Sequence, residues 1–503
     1  MRLFFMISGH ARARFAQAGA ALAVAALIAG CGNNYRPVVT PITPSGPPPQ
    51  PPSYAVTVSS PSPTTPGIAT IIDYSGDTVM AMAPIGPGPK SFVMDTLGSI
   101  GYTVNSDGTM SNFPITTSLQ ENNVLYTTLP STAQPINLLA PSSGLWATDL
   151  NGNVADVFSG SPATFKLAVP VPATPVFITG SPNLQGQREY AISQNFVDPT
   201  GVACNVSPTT VTENGVATPI ELANYSTDPP IPVGKCPVYA IQTPDQKRLF
   251  VMNRGDDTIT VINSQNNTLD ACTPFVSQSG QLIHCHPTLP LSTTAVANTG
   301  ITPPNGTNGM RGIAGPVYAE YNAATQQLVV ADYDGGTISI IDVSLDIYGN
   351  DSATFGTTYT VPVGRNPAAV TVLYDGSRAY TANQSDGTVS IVDVSSHSVE
   401  KTLAVIGHPR TVVSTQNSLF GKVYVASPDT PYLTILTTLT DLVDTSILVQ
   451  GNVVDVRTTT QNGVSGNSNF TSRLPGYGQP CNLPGPPSAS GTLSALQVCQ
   501  AIP

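Results

Sequence analysis

Charged side chains are scarce in this sequence, and basic ones are the scarcest. Only 10% of its 503 residues are charged, with 19 Lys and Arg against 30 Asp and Glu. Three of the arginines lie in the first thirty residues, so the rest of the chain carries a net charge of about −14. This acidic balance argues against nucleic acid or an anionic membrane surface as a partner.

Histidine is also rare, and the common catalytic motifs are missing. The chain has five His and one Trp, Trp146, which we expect to pack in the core. It has no Gly-x-Ser-x-Gly nucleophile elbow, no Cys-x-x-Cys-His haem site, no phosphate-binding loop and no repeated metal-binding motif. We therefore predict no cofactor and assign no catalytic residues, and the sequence leans against an enzyme without excluding one.

One short stretch, His-Cys-His-Pro, offers weak candidates for metal ligands. Alternation along an extended segment would place the side chains of His284 and His286 on one face. A zinc site needs three or four ligands, and no other His lies nearby in the sequence. A metal site is therefore the less favoured interpretation of these residues.

The N-terminus predicts export. The apolar run AGAALAVAALIAG, at thirteen residues, is too short to span a bilayer but fits the core of a secretory signal peptide, which we assign to residues 1–30. The residues Ile28-Ala29-Gly30-Cys31 resemble the lipobox of bacterial lipoproteins, in which Cys31 would be acylated and become the first mature residue. The alternative is an ordinary signal peptide in which Cys31 is incidental.

The lipobox predicts a lipid anchor in the cell envelope. Gly32 is not the Asp that resembles an inner-membrane retention signal, so the outer membrane is preferred, on its periplasmic or surface face. Residues 31–66 hold so many prolines that we predict an extended, polyproline-like tether.

Six cysteines follow Cys31, and an even number in an exported chain predicts disulfides. Insertions and tails need local staples, so we expect neighbours in sequence to pair. Six cysteines allow fifteen connectivities, so other pairings stay open. The last pair would staple a C-terminal tail over residues 476–503. The predicted bonds are Cys204–Cys236, Cys272–Cys285 and Cys481–Cys499.

A repeated phrase predicts the fold. Each copy is a β-rich run, a turn and a second run with period two, which is a hairpin pattern, and a strand that begins near a Pro precedes it. These prolines are spaced 40 to 51 residues apart, with two longer steps of 62 and 79 that hold insertions. A period in the forties with four strands per repeat is typical of a β-propeller blade. The clearest copies are RLFVMNRGDDTITVINSQ (248–265), QLVVADYDGGTISIIDVS (327–344), RAYTANQSDGTVSIVDVS (378–395) and KVYVASPDTPYLTILTTL (422–439).

The repeat resembles a known family. Tyr380-Thr381-Ala382-Asn383 followed by SDGTVSIVDVS, and Val363-Gly364 followed by Pro367, resemble the YVTN family of β-propeller repeat proteins. The resemblance is strong over residues 230–445 and fades toward residues 100–230. It implies an all-β chain with a single propeller of four-stranded antiparallel blades over residues 67–475. The family pattern usually gives seven blades, whereas counting a blade shared by the two termini gives eight, and both numbers stay open.

The two ends of the chain carry parts of the same phrase. Residues 68–86 are predicted to be the third and fourth strands of a blade, and residues 451–460 its first strand, with a possible second strand near NSNFTSRL. We therefore predict that the N- and C-terminal strands pair to close the ring, which removes two exposed sheet edges.

Basic residues are predicted to gather at one mouth of the channel, in the loops that lead into the inner strands or at the starts of those strands. They could bind an anion, although Asp107, Asp256 and Asp386 lie on the same face, and solvated loop charges are the plainer interpretation. Arg254-Gly255-Asp256 matches an adhesion tripeptide, but it occupies the position of turn residues in other blades, so we predict a turn. The basic residues are Lys90, Lys235, Arg365, His408 and Arg410.

Three classes of function remain. The best supported is a lipid-anchored, monomeric binding or scaffold propeller that presents loops to a protein or glycan. The second is a hydrolase with its site at the channel mouth, because related propellers resemble lactonases of the 6-phosphogluconolactonase type, although no set of their residues can be carried over. The third is a periplasmic redox or metal-handling partner, for which the His pair would be needed.

Overall fold

The chain forms one β-propeller of eight blades. The computed structural model describes residues 53–130, 133, 135–141, 144–180, 188–196, 204, 210–277, 280–291 and 314–459. These residues form eight four-stranded antiparallel sheets, one of which carries a fifth short strand. The predicted all-β propeller is therefore confirmed, and of the two predicted blade numbers eight is correct. Among the described residues, no helix is long and apolar enough to cross a membrane.

Blade 1 is built from both ends of the chain. Its second, third and fourth strands are β1 (Tyr54–Ser60), β2 (Pro66–Asp73) and β3 (Val79–Pro87). Its innermost strand is β35 (Asn452–Thr458), the last strand of the described chain.

Blades 2 to 8 each take consecutive strands, ordered from the channel outward. The strands of blades 2 to 4 are β4 (Ser91–Met94), β5 (Ile100–Val104), β6 (Thr109–Pro114) and β7 (Leu125–Thr128); β8 (Pro135–Leu139), β9 (Leu145–Asp149), β10 (Val154–Ser159) and β11 (Thr164–Pro170); β12 (Pro175–Gly180), β13 (Arg188–Ser193), β14 (Asn214–Glu221) and β15 (Ile231–Lys235). The strands of blade 5 are β16 (Pro237–Gln242), β17 (Arg248–Asn253), β18 (Thr258–Asn263), β19 (Thr268–Leu269) and β22 (Thr288–Pro290), with a separate hairpin of β20 (Phe275–Val276) and β21 (Leu282–Ile283). The strands of blades 6 to 8 are β23 (Pro316–Asn322), β24 (Gln327–Asp332), β25 (Thr337–Asp342) and β26 (Thr358–Pro362); β27 (Pro367–Val372), β28 (Arg378–Asn383), β29 (Thr388–Asp393) and β30 (Ser398–Ala404); β31 (Thr411–Ser414), β32 (Lys422–Ala426), β33 (Tyr432–Thr437) and β34 (Leu442–Leu448).

The position of a strand in its blade explains its polarity. Inner strands lie between two neighbouring blades, so both of their faces are covered, and all six residues of β16 are buried. The outermost strand β30, with the sequence SVEKTLA, is almost wholly exposed. A strand covered on both faces is expected to carry a nearly continuous apolar run rather than an alternating one. Apolar area is therefore concentrated at the contacts between blades, where its burial stabilises the ring.

The proline that begins most inner strands marks a β-bulge. In five blades the pairing of the first two strands shifts register just after this proline. Proline suits the position because it has no N–H to donate to the ladder and its φ angle is fixed. A bulge bends the strand locally, so the recurring proline sets where each inner strand bends at the channel. These residues are Pro135, Pro175, Pro237, Pro316 and Pro367.

Pairing of β1 with β35 closes the ring. The antiparallel register places Ala55 opposite Thr458. Beyond it, the Thr459 N–H donates to the Tyr54 carbonyl at 2.8 Å, and the Tyr54 N–H donates to Thr459 Oγ1 at 2.7 Å. On its two sides β35 lies against the inner strands of blades 8 and 2. The predicted closure by the two termini is confirmed.

The predicted tether over residues 31–66 needs correction at its C-terminal end. Its residues 54–60, YAVTVSS, form β1 and are almost completely buried. The prolines on both sides obscure this alternating stretch in the sequence. Because β1 fills the second position of blade 1, no strand near NSNFTSRL is needed there. That stretch, residues 31–52 of the tether and the predicted tail over residues 476–503 lie outside the described residues.

We expect the ring to depend on β1. A chain that starts at residue 52 should melt at the same temperature as one that starts at residue 31, because both chains keep all four strands of blade 1. A chain that starts at residue 61 should lose many degrees or aggregate, since β35 then loses its partner and the ring opens. A chain that ends at residue 449, which lacks β35, should suffer similarly. Thermal unfolding of the four purified chains tests this, and equal melting temperatures for the starts at residues 52 and 61 would contradict it.

Candidate functional site

An asparagine at the end of the second strand fixes the turn between the second and third strands. These turns lie at one mouth of the channel. In blade 5, Asn253 Nδ2 donates to Thr258 Oγ1 at 3.0 Å and to Thr260 Oγ1 at 2.9 Å. The same pattern recurs at Asn383 in blade 7 and at Asn105 in blade 2. The motif asparagine therefore has a structural use: it holds the turn against the third strand.

The glycine of the Val-Gly loop motif is required by the same contact. A Cβ atom on Gly364 would lie 2.6 Å from Asn383 Cγ, and one on Gly234 would lie 2.6 Å from Asn253 Cγ. The Gly234 N–H also donates to Thr260 Oγ1 at 3.2 Å. A side chain at either glycine would push the loop away from the asparagine. The two family-like motifs are thus two halves of one contact between neighbouring blades.

Two of the predicted basic residues at the mouth are paired with carboxylates. The Arg365 N–H donates to Asp386 Oδ2 at 2.7 Å, and the Arg365 guanidinium forms an ion pair with the same carboxylate. His408 contacts Asp429 in the same way, through its N–H at 2.9 Å and through Nδ1 at 2.6 Å. Each basic loop residue thus lies beside an aspartate of the adjacent turn, which offsets its charge.

The other three basic residues have different surroundings. The Lys235 N–H donates to Asp256 Oδ2 at 3.1 Å, which places this lysine beside a third turn aspartate. Burial lowers the pKa of Lys90, and Arg410 is buried. The structure therefore brings the five residues to one face without gathering their charges on one point. Anion binding at the mouth stays a prediction.

Arg254 connects blades 4, 5 and 6 at the mouth. Its guanidinium donates to both carboxylate oxygens of Asp334, at 2.8 and 2.9 Å, and lies 5.2 Å from the centre of the Tyr333 ring. It also reaches the carbonyl of Cys204, which a disulfide joins to Cys236, at 3.4 Å. Arg254 is only 5% exposed, so the arginine of the Arg-Gly-Asp tripeptide is buried between blades. Asp256 is exposed, and the tripeptide forms a turn, as predicted.

Blade 6 has an acid where its neighbours have the motif asparagine. Asp332 Oδ2 accepts hydrogen bonds from Ser339 Oγ at 2.7 Å and from Thr337 Oγ1 at 3.1 Å. Burial raises the pKa of Asp332 to about 7, although the two hydroxyl donors oppose the rise. In blade 3 burial likewise raises the pKa of Asp156 to about 7, and the nearby Asp149 adds to it. The folded protein therefore holds protons on buried acids near neutral pH.

Blade 5 carries an arm that the repeat does not explain. Its outermost strand is split into β19, which pairs with the end of β18, and β22, which pairs with the start of β18. The described residues 271–277 and 280–287, here named the blade 5 arm, leave the sheet between β19 and β22 and contain the hairpin strands β20 and β21. The disulfide Cys272–Cys285 joins the two ends of the arm, with its Cα atoms 5.5 Å apart.

The arm exposes apolar side chains. Phe275, Val276 and Leu282 are 42%, 67% and 54% exposed. No charged residue lies between Asp270 and His284 in the sequence. The hairpin therefore exposes apolar side chains in a stretch without Asp, Glu, Lys or Arg, and exposed apolar side chains grouped in this way mark interaction surfaces.

The weak metal candidates are occupied by other contacts. Cys285 is in the disulfide, and His286 Nδ1 lies 2.8 Å from Asp351 Oδ2 while its ring stacks on Phe355. His284 is exposed beside the disulfide. In the part of the chain that the structure describes, no group of three or more His, Cys, Asp or Glu side chains is placed to hold a metal ion.

Two of the three predicted disulfides, Cys204–Cys236 and Cys272–Cys285, are confirmed. Cys31 and the predicted pair Cys481–Cys499 lie outside the described residues. The long 79-residue step and the cysteine pair within it indicate an insertion in blade 5. They do not indicate that the outer strand is split or that the inserted arm exposes apolar side chains, so sequence reasoning missed this surface.

No protein-family model matches the chain, and no curated protein matches it by sequence. The fold is similar to that of apo AztD from Citrobacter koseri, with 12% identity and a TM-score of 0.52 over 83% of this chain and 98% of that one. It is also similar to dihydro-heme d1 dehydrogenase NirN in complex with DHE, with 13% identity and a TM-score of 0.51 over 82% of this chain and 76% of that one. A candidate 6-phosphogluconolactonase from Bacteroides fragilis gives 14% identity and a TM-score of 0.47 over 81% and 98% of the two chains. At these identities the likeness extends to the propeller fold alone.

We expect Asp332→Asn to stabilise the protein above neutral pH. Between about pH 4 and pH 7 folded Asp332 keeps a proton that the unfolded chain has lost, so its contribution to stability falls as pH rises and the full cost is present at pH 8. Asparagine fits the contact, as Asn253 and Asn383 show. The gain in unfolding free energy should be about 2 kcal/mol larger at pH 8 than at pH 5, measured by denaturant or thermal unfolding.

The reverse change in blade 7, Asn383→Asp, is the matched control. It should introduce the same dependence, with a loss of stability that grows as pH rises. If Asp332→Asn destabilises the protein equally at pH 5 and pH 8, the carboxyl of Asp332 has a role that the amide cannot replace, and the expectation is wrong.

Proposed function

We propose that this chain is a YVTN-type β-propeller lipoprotein that acts as a binding or scaffold module in the cell envelope, and that it binds a protein partner through the blade 5 arm. The observation that carries the proposal is the arm: a disulfide-bridged hairpin that exposes Phe275, Val276 and Leu282, attached to the outer edge of a closed ring. A ring of blades gives such a projection a rigid base.

The chemistry of the arm favours a protein over a glycan. Phe275, Val276 and Leu282 offer apolar contact area and no charge, which suits a hydrophobic groove on a partner protein. The Cys272–Cys285 bridge restricts the arm before binding, so less conformational entropy is lost when a partner binds. A rigid apolar projection can therefore bind more tightly than a free loop of the same sequence.

Three imidazoles make contacts within the fold. The imidazoles of His286, His397 and His408 contact Asp351, the Tyr359 ring and Asp429, respectively. The four described cysteines are in disulfides. With these thiols oxidised and His286 held by Asp351, the described residues support binding over the redox or metal-handling alternative.

The proposed location rests on the N-terminal sequence. The lipobox ending at Cys31 would attach the chain to the envelope, with the outer membrane preferred because of Gly32. The chain enters blade 1 at Tyr54, so residues 32–53 are the proposed spacer between lipid and ring. Two features support a monomer. The net charge of about −14 makes copies of the chain repel one another, and the closed ring leaves no inner blade face for a second copy to cover.

We expect Cys31→Ser to move the protein from the membrane fraction to the soluble one, because acylation requires the thiol. Labelling with a lipid analogue in the producing bacterium should disappear in this variant. A Ser change at Cys272, which leaves the lipobox intact, should keep the label. Labelling of the Cys31→Ser variant at the level of the original protein would end the lipoprotein proposal.

A photo-crosslinking residue placed at Phe275 should form one discrete adduct with a partner protein in the intact envelope. With the crosslinker kept at Phe275, the double change Val276→Ser and Leu282→Ser should reduce that adduct at least tenfold. The loss should occur without a change in melting temperature, because both side chains are exposed in the folded protein.

The matched control places the crosslinker at Phe420, which is 80% exposed on another blade. We expect no such discrete adduct there. Adducts of equal amount and pattern at Phe275 and Phe420 would mean that exposed apolar residues of this protein are crosslinked indiscriminately. The arm would then not be a specific binding surface.

A further inference from the structure

A buried ionic cluster holds the base of the blade 5 arm against the ring. One guanidinium nitrogen of Arg248, at the start of β17, lies 2.9 Å from Asp351 Oδ1 and 3.3 Å from Asp270 Oδ1. On the other side of Asp351, Oδ2 lies 2.8 Å from His286 Nδ1. Asp270 immediately precedes the arm, His286 lies at its C-terminal end, and Asp351 belongs to the loop before β26 in blade 6. The cluster therefore joins both ends of the arm to two blades.

Among the residues that the structure describes, few other charged groups approach these four. Asp270 Oδ2 accepts the His286 N–H at 3.4 Å, and the Arg248 guanidinium also donates to the Gly349 carbonyl at 3.3 Å. Lys247 lies nearby and is paired with Asp245 at 3.6 Å.

Asp346 lies in the same loop as Asp351. Its carboxylate accepts hydrogen bonds from the N–H groups of Tyr348 and Asn350. His284 is exposed on the arm beside the disulfide. The charge balance at Asp270 is thus set chiefly by Arg248, Asp351 and His286.

The charges in the cluster balance only when it holds one extra proton. Arg248 supplies one positive charge against the two carboxylates of Asp270 and Asp351, and all three side chains are buried. A proton on the Asp270 carboxyl brings the total to zero. Burial raises the pKa of Asp270 to about 6; the nearby carboxyl of Asp351 adds to the rise and Arg248 opposes it. Loss of the proton leaves an uncompensated buried negative charge, which is costly.

We propose that this cluster is a pH-sensitive latch, which fixes the blade 5 arm to blades 5 and 6 in mild acid and loosens it as the pH rises. The inference rests on the proposed function, because it concerns the control of the proposed binding surface. When the arm is fixed, Phe275, Val276 and Leu282 are held in place relative to the ring. When the arm is loose, a partner must order these side chains as it binds, which costs conformational entropy and weakens binding. The Cys272–Cys285 bridge keeps the hairpin itself intact in both states.

Hydrogen exchange of the arm in the full mature protein, with its disulfides intact, tests the latch. The measured rates at pH 5 and pH 8 are first corrected for the intrinsic pH dependence of exchange. If opening returns Asp270 to an ordinary aspartate pKa, the opening equilibrium of the arm should rise about tenfold between pH 5 and pH 8. Asp270→Asn, which stays neutral, should reduce this ratio to less than about threefold.

Two further variants complete the test. Asp351→Ala removes the acceptor that both Arg248 and His286 use, so the arm should exchange fast at both pH values while the amides of β24 stay protected. Asp386→Asn, at the opposite face, should behave like the original protein. An unchanged pH ratio in Asp270→Asn, or no pH dependence in the original protein, would overturn the latch.

The crosslinking at Phe275 separates this inference from the proposed function. A latch that responds to pH in a protein that forms no partner adduct would leave the inference standing and reject the proposed function. A specific adduct at Phe275 together with pH-independent exchange would reject the latch and leave the binding surface.

Discussion

Pairing of β1 with β35 is the contact on which the rest of the propeller depends. Each inner strand is apolar on both faces, and those faces are covered only because a neighbouring blade lies on either side. A ring that opened at blade 1 would expose two such faces at once. The blades would then form an open row, in which each blade is stabilised only by the blades next to it. The ring closes inside blade 1, between β1 and β35, and not between two blades, so the closing contact has a ladder of hydrogen bonds as well as packing.

Most of the fold could be predicted from the sequence because the repeat has a physical basis at each position. A proline begins the bulged inner strand, and Gly364 is needed because a side chain would strike Asn383. The faded copies over residues 100–230 obey the same geometry with other residues: Trp146, buried in β9, stands where blade 7 has Tyr380. The prediction failed at β1, because YAVTVSS lies between proline-rich stretches that resemble a tether.

The candidate sites were less predictable, because a side chain's role depends on what faces it. Topology alone brings Lys235, Arg365 and His408 to one mouth, and this much follows from loop positions. That Arg365 would lie beside Asp386, or that Arg254 would bond to Asp334 eighty residues further along the chain, does not follow from spacing. Side chains from different blades meet through the packing of the ring, and their pairing leaves no periodic signal in the sequence.

The arm shows where a propeller can gain a surface without losing its closure. An outermost strand pairs on one side only, so dividing it into β19 and β22 leaves β18 paired along much of its length. The same insertion in an inner strand such as β16 would separate two blades and break the ring. The Cys272–Cys285 bridge limits the conformations of the inserted residues, and Asp351 of blade 6 ties them to a second blade. Residues that depart from the repeat at an outer edge, and that are both bridged and anchored, are therefore better evidence for function than the repeated residues at the channel mouth.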